Sequence, residues 1–219
     1  MAGDVLVDER PVTKAGTLVG DDAVVRLRVA PSPYVSRGGE KLAPALDAFG
    51  IDVAGRVVLD VGASTGGFTD VCLRRGARRV IAIDVGYGQL AWTLQTHQRV
   101  TILDRTNARA LVPAMLPEVP DVAVVDVSFI SLALVLPAVA GVLAPDGEVV
   151  ALVKPQFEVG KGGVVRDPVQ RAEAVARVRA AAEALGLAVR GEAESALAGP
   201  KGNREVFLWL SRARADRSG

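Results

Sequence analysis

The sequence predicts an α/β domain built on one mainly parallel, doubly wound sheet, and three observations carry that expectation. Half of the 219 residues are hydrophobic but only 4% are aromatic. The apolar content is therefore mostly Val, Ala and Leu, which suits strands buried on both faces under helices. From Val57 onward, short Val/Ile runs alternate with longer helical patterns, the rhythm of βα units. Between the first run and its helix lies a glycine-rich loop within Asp60 to Phe68, at a place where ligands approach backbone closely. The length fits one ordinary domain plus a small appendage.

The appendage comes first. Val5-Leu6-Val7, Thr17-Leu18-Val19 and Ala23 to Arg28 read as short β runs set apart by polar turns, too little to enclose a core alone. Pro31 and Pro33 mark a stiff linker. Ser36 to Leu42 opens a helix ahead of the first parallel strand. The strands then run Val57 to Val61, Arg79 to Asp84, Val100 to Leu103, Val122 to Asp126 and Glu148 to Lys154, with a helix near Gly67 to Arg75. Asp167-Pro168 opens an alanine-rich helix that reaches Leu185 and stops at Gly186, a polar cap and proline at the start and glycine at the end. Leu187 to Glu194 and Glu205 to Leu210 bring the main-domain count to seven strands. Val127 to Pro145 is uncharged over 19 residues, a length near that of a membrane span. Ser128, Ser131, Pro137 and Gly141 interrupt it between two strands, so it reads as strand end, loop and packed helix.

A formal net charge of +1 confines any basic surface to local patches. The single cysteine, Cys72, has no intramolecular disulfide partner, and the charged start lacks the pattern of a secretory signal, so a reducing cytoplasmic setting is expected. One histidine, His97, read as a surface or loop residue, and one cysteine make a His/Cys metal centre unavailable. Arg74, Arg75, Arg78 and Arg79 read as a solvated helix end, or as a phosphate contact.

Asp84 ends the second parallel strand 22 residues after Gly62, where a carboxylate accepts hydrogen bonds from both hydroxyls of a cofactor ribose. The glycines depart from the dinucleotide G-x-G-x-x-G spacing, since position 64 is serine, and a pyrophosphate cradle is not indicated. The D-x-G-x-x-x-G form, with an acid just ahead of the loop, suits S-adenosyl-L-methionine, which lacks phosphates and carries a cationic amino group and a sulfonium. Asp60, Gly62, Ala63, Ser64, Gly66, Gly67 and Asp84 are the expected cofactor contacts. Asn107 either meets an adenine ring or is an ordinary polar loop residue, and Tyr87, Gln89 and Trp92 are either cofactor rim or core packing.

Ligands of an open parallel sheet bind beyond the carboxyl ends of its strands. Asp126 ends the fourth strand and Lys154 the fifth. Glu205 begins the last strand and joins them if that strand is antiparallel. Lys41, at its helix start, reaches the cleft from the other side. Two lysines and two acids suit acid–base work on a poor nucleophile such as a ribose hydroxyl. Lysines ordinarily titrate near about 10.4, and desolvation or a neighbouring cation lowers that. Lys154 is accordingly read as the base, or as hydrogen-bond donor to the alkoxide. Lys41 holds that oxygen by charge, and Asp126 and Glu205 orient the lysines.

Tyr34-Val-Ser-Arg-Gly-Gly-Glu-Lys-Leu42, Asp60-Val-Gly-Ala-Ser-Thr-Gly-Gly-Phe68, Asp126-Val-Ser-Phe-Ile-Ser-Leu132, Val153-Lys-Pro-Gln-Phe-Glu158 and Gly202-Asn-Arg-Glu-Val-Phe-Leu-Trp209 together resemble the TlyA family. These are ribosomal RNA 2′-O-methyltransferases related to the FtsJ type and often labelled haemolysins, and the similarity runs from about residue 2 to residue 211. The resemblance implies a Rossmann-like, seven-stranded, S-adenosylmethionine-dependent methyltransferase fold over residues 31–211. It implies a partial αL RNA-binding module over residues 1–30 and leaves a basic tail over residues 212–219. The family's Lys-Asp-Lys-Glu set falls on Lys41, Asp126, Lys154 and Glu205. The implied substrate is a cytidine ribose of ribosomal RNA in a subunit or ribosome, with no stable membrane association and no oligomer expected. The family's αL module begins with two helices, whereas residues 1–28 resemble only its second half, so a late start or a fragment is expected. The competing readings are a membrane-lytic protein, a Rossmann-like enzyme acting on a small molecule, and a cofactor-binding protein that docks on ribosomes without catalysis.

Overall fold

Runs of β-branched residues stay extended because the branched Cβ restricts χ1 and packs well on a pleated surface. The computed structural model, which describes residues 5–14, 16–27, 32–160, 163–199 and 201–212, follows that rule in both of its compact units, Met1–Pro33 and Tyr34–Gly219.

The first unit is a three-stranded antiparallel sheet of β1 (Val5–Val7), β2 (Arg10–Val12) and β3 (Val25–Leu27), in the order β2-β1-β3. Asp8 and Glu9, both with positive φ, turn β1 into β2 in the manner of a two-residue hairpin. Thr17-Leu18-Val19 is not a strand. Thr17 closes a turn onto the Lys14 carbonyl, and Leu18 is 97% exposed. The strand lies instead at Arg10–Val12, where Pro11 is tolerated because β2 is an edge.

In the second unit β4 (Val57–Val61), β5 (Arg79–Ile83), β6 (Val100–Leu103), β7 (Val122–Val125), β8 (Glu148–Val153), β9 (Leu187–Glu194) and β10 (Val206–Arg212) form one sheet. Its order is β6-β5-β4-β7-β8-β10-β9, parallel from β6 to β8, with β10 antiparallel to both neighbours. All seven expected strands of this unit are present. The helices are α1 (Arg37–Phe49), α2 (Gly67–Arg74), α3 (Trp92–Gln95), α4 (Leu132–Val142), α5 (Pro155–Glu158) and α6 (Pro168–Ala184). Alternate residues of the central strands feed two apolar clusters. One holds Leu59, Val61 and Val125 with α4 and α6, and the other holds Val58, Val124 and Leu152 with α1 and α2. The sheet is thus covered on both sides. Strand order reverses at β4, so the crevice lies outside the carboxyl ends of β4 and β7.

The uncharged run after Asp126 divides into a loop and the 11-residue α4, whose Leu132, Val135, Leu136 and Val139 are buried in the core. Among the described residues, no helix is long and apolar enough to cross a membrane. Asp167 caps α6 by accepting from the Val169 N–H, as its sequence position implied.

Candidate active site

The glycine loop begins one residue past β4. Gly62 has φ +84, and a Cβ there would lie 2.6 Å from the Asp126 carbonyl oxygen, so only glycine lets β7's end come this close. The N–H groups of Gly62 and Ala63 both donate to the Ile83 carbonyl, at 2.9 and 3.1 Å. Ser64 is left-handed, with φ +48, and its N–H donates to Asp84 Oδ2 at 2.9 Å, while the Gly86 N–H donates to Oδ1 at 2.7 Å. Asp84 therefore pins the loop after β4 to the loop after β5, and each carboxylate oxygen keeps a lone pair for a further donor.

A cavity of about 330 Å³ opens beside it, lined by Gly62, Ser64, Asp84, Gln89, Asn107 and Phe129 among others. Asn107 is a polar loop residue that also borders this space, and its Oδ1 accepts from the Arg109 N–H at 3.0 Å as the cap of a 3₁₀ turn, Ala108–Ala110. Tyr87 and Trp92 are 71% and 74% exposed, so neither packs in the core. Tyr87 instead lies under the Arg105 guanidinium, 4.4 Å from the ring centre.

Two expected cofactor contacts sit elsewhere. Asp60 is wholly buried beneath the loop, accepts from the Thr69 hydroxyl at 2.6 Å through Oδ2, and lines neither cavity of the cleft. Burial pushes its carboxyl up to about 7; the Thr69 bond opposes this, and the charges of Asp126 and Asp84 add to it. Gly66, with φ +95, faces Leu90 and Leu94, and a Cβ there would collide with Leu94. Both residues brace the loop from below.

The second and larger cavity, about 550 Å³, shares Gly62, Ser64, Asp126, Ser128 and Phe129 with the first. Ala63 and Gly67 line it too, and it brings Lys41, Asp126, Lys154 and Glu205 together. Asp126, Lys154 and Glu205 each stand one residue outside β7, β8 and β10, and the antiparallel register Val206↔Val153 sets Glu205 level with Lys154. Each lysine has its own carboxylate. Lys41 Nζ lies 2.6 Å from Glu205 Oε2, both residues being buried, and Lys154 Nζ lies 2.5 Å from Asp126 Oδ1. The latter is an ion pair without hydrogen-bond alignment. The aligned bond from Lys154 goes to Ser128 Oγ at 2.9 Å.

Sequence reasoning did not single out Ser128, Gln156, Arg37 or Lys201, all of which line this cavity. Ser128 follows a strand-ending acid by two residues, which was the available signal. Arg37 and Lys201 are exposed cations at the rim, indistinguishable in sequence from any surface charge. Of the four clustered arginines, Arg74 pairs with Asp70, Arg75 with Asp47, and Arg78 and Arg79 with Glu118, the pattern of a solvated helix end. His97 lies in a loop, its Nδ1 accepting from the Arg99 N–H.

The profile of the FtsJ-like methyltransferases matches residues 34–212. The chain is 52% identical over 223 residues to the 16S/23S rRNA (cytidine-2′-O)-methyltransferase TlyA of Mycobacterium tuberculosis, covering 99% of this chain and 83% of that protein. Its structure matches that of a Streptococcus thermophilus protein named as a hemolysin, with TM-score 0.85 and 39% identity over 98% of this chain and 81% of that one. An S-adenosylmethionine-dependent methyltransferase fold from Listeria monocytogenes matches with TM-score 0.61 at 14% identity, covering 81% of this chain and all of that one, a likeness of fold alone. The chain belongs to the FtsJ-like methyltransferases and, within them, to the TlyA family.

Proposed function

We propose that this chain transfers the methyl group of S-adenosylmethionine to the ribose 2′-hydroxyl of a cytidine in ribosomal RNA, within a subunit or assembled ribosome. It acts in the cytoplasm, as a single copy and without stable membrane association. The observation that carries the reading is the meeting of two lysine–carboxylate pairs in a cavity that adjoins the glycine loop and Asp84. The name of the Mycobacterium tuberculosis relative supports the choice of cytidine and of ribosomal RNA.

S-adenosylmethionine, when bound, supplies an electrophilic methyl group on a sulfonium. The donor set suits it: Asp84 offers free lone pairs to ribose hydroxyls, Asn107 and Gln89 border the space for adenine, and Gly62, Ala63, Ser64 and Gly67 let backbone approach. Asp60 and Gly66 support that surface from beneath. In the larger cavity Lys154 takes the proton of the ribose hydroxyl or donates a hydrogen bond to the alkoxide as it forms, and Asp126 faces its positive charge. Ser128 fixes the position of Nζ. Lys41, held by Glu205 away from water, presents a fixed positive charge to the oxygen as negative charge develops there. Arg37 and Lys201 at the rim face the flanking phosphates, and residues 1–30 form the RNA-binding module.

The test is transfer of labelled methyl to purified small and large ribosomal subunits and to the assembled ribosome, with the product located by nucleoside analysis. Label on a cytidine ribose is the expected outcome, whereas label on a base, or none on either subunit or on the assembled ribosome, overturns the reading. Lys154→Ala should abolish transfer, a loss on the order of 10³-fold or more, and leave cofactor affinity within about threefold. Turnover retained in that variant removes Lys154 from its role.

A further inference from the structure

Asp126 and Lys154 lie on separate segments that leave the sheet before reaching the site. The β7·β8 ladder ends at Val125↔Ala151, so no ladder bond joins the two residues directly; the Asp126 N–H donates to the Val61 carbonyl at 2.9 Å and β10 pairs with β8 as far as Val153, but the loop after Asp126 and the turn after Lys154 lie outside the sheet. Beyond it one chain runs through a loop that includes Phe129 in the left-handed region, φ +65, into α4, and the other enters the single turn of α5. At the reacting end the two segments touch through Lys154, Asp126 and Ser128. Ser128 can fix Nζ only as well as the two segments that carry them are held against each other.

The far ends of both segments meet at Glu158, the last residue of α5. Its Oε1 accepts from the Leu132 N–H at 2.9 Å and its Oε2 from the Ser131 hydroxyl at 2.5 Å, at the start of α4. Glu158 is buried, so water does not compete for these bonds, and Arg177 of α6 donates to its carbonyl at 3.2 Å. A cap alone does not require this arrangement, because the Ser131 hydroxyl already accepts from the Ala133 N–H. Burial pushes the Glu158 carboxyl up, against the effect of its bonds to Ser131 and Leu132 and of the Arg177 charge. Bringing an acid from another segment into an apolar site costs stability, a cost expected where a residue is kept for geometry.

We propose that Glu158 is a positioning residue, which holds the Asp126–Ser128 loop and Lys154 in working register by tying the start of α4 to the end of α5. The proposal rests on the proposed methyl transfer, so its test has one readout that does not depend on turnover. In the full chain, Glu158→Ala, Glu158→Gln and Ser131→Ala are compared for kcat and KM on ribosomal subunits, for cofactor affinity by calorimetry, and for the ¹⁵N–¹H signal of the Lys154 ammonium.

Glu158→Ala should lower kcat on the order of 10- to 100-fold, the penalty of a misplaced reacting group, with cofactor affinity within about twofold. It should also displace the Lys154 signal. Glu158→Gln should restore both, since its amide oxygen accepts from Leu132 and its amide N–H donates to Ser131, and Ser131→Ala should fall between. The idea is overturned by a kcat in Glu158→Ala within about twofold of the parent, or by lost turnover with the Lys154 signal unmoved, the mark of a merely structural role. If Glu158→Ala does not fold, an unmoved signal and unchanged kcat in Ser131→Ala overturn it equally. Should the parent methylate no ribosomal RNA, the proposed function fails while the Lys154 signal still decides the brace.

Discussion

Asp60 shows how one carboxyl can be essential to a site's shape without facing its ligand. Buried beneath the glycine loop, it carries a carboxyl pushed up to about 7 by desolvation, whereas the unfolded chain releases that proton near about 4. Between those values the native state binds more protons than the unfolded one, so stability falls as pH rises, by up to about 1.4 kcal/mol per pH unit. The stabilisation is complete below the unfolded value and gone above the folded one. Asp60→Asn stays neutral and still offers an acceptor to Thr69. It should flatten the slope and stabilise the protein above neutrality by a few kcal/mol, on the order of 2–4. Denaturant titrations of both proteins at about pH 5 and about pH 8 check this. Loss of cofactor affinity in the variant by more than about tenfold would instead return Asp60 to direct contact.

At the level of elements, the site depends on how closely the ends of β4 and β7 approach, and Gly62 permits that approach. Gly62→Ala introduces both a strained φ and a Cβ 2.6 Å from the Asp126 carbonyl. Thermal melts should show a loss of about 1–3 kcal/mol. Methyl transfer should fall more steeply than cofactor binding, because the displaced backbone carries Asp126; an equal fall in both would confine the damage to the cofactor side. What the sequence disclosed about these elements follows from their physics. The buried strands of the large sheet were legible because Val/Ile runs bounded by turns have few alternatives, and their ends placed Asp126, Lys154 and Glu205 on one edge. Thr17-Leu18-Val19 misled because apolar β-branched composition does not make a strand without a partner, and Leu18 finds none. The four-residue helices α3 and α5 are too short to show a 3.6-residue period. The bond from Glu158 to Leu132 spans 26 residues, a contact that local pattern does not encode.

Across the whole molecule, charge and site are distributed unevenly between the two units. Residues 1–33 hold five acids, Asp4, Asp8, Glu9, Asp21 and Asp22, against four bases, Arg10, Lys14, Arg26 and Arg28, a net of −1. The remaining chain therefore carries +2 of the total +1. Neither part is basic enough for bulk attraction to polyanionic RNA to dominate, so recognition must rest on a few placed contacts, and its salt dependence should be shallow. Among the described residues, those that line the two cleft cavities lie between Ser36 and Glu205, and both apolar clusters are built from the second unit. Removing residues 1–33 should therefore leave S-adenosylmethionine affinity within about twofold and kcat within about threefold, while KM for ribosomal subunits rises about tenfold or more. Calorimetry with the cofactor and steady-state transfer at about 50 and about 200 mM salt separate these effects. A fall in kcat with KM unchanged would mean that the first unit acts on catalysis rather than on substrate capture. A steep loss of affinity with salt in the full chain would mean that many phosphate contacts, rather than a few at the rim around Arg37 and Lys201, hold the RNA.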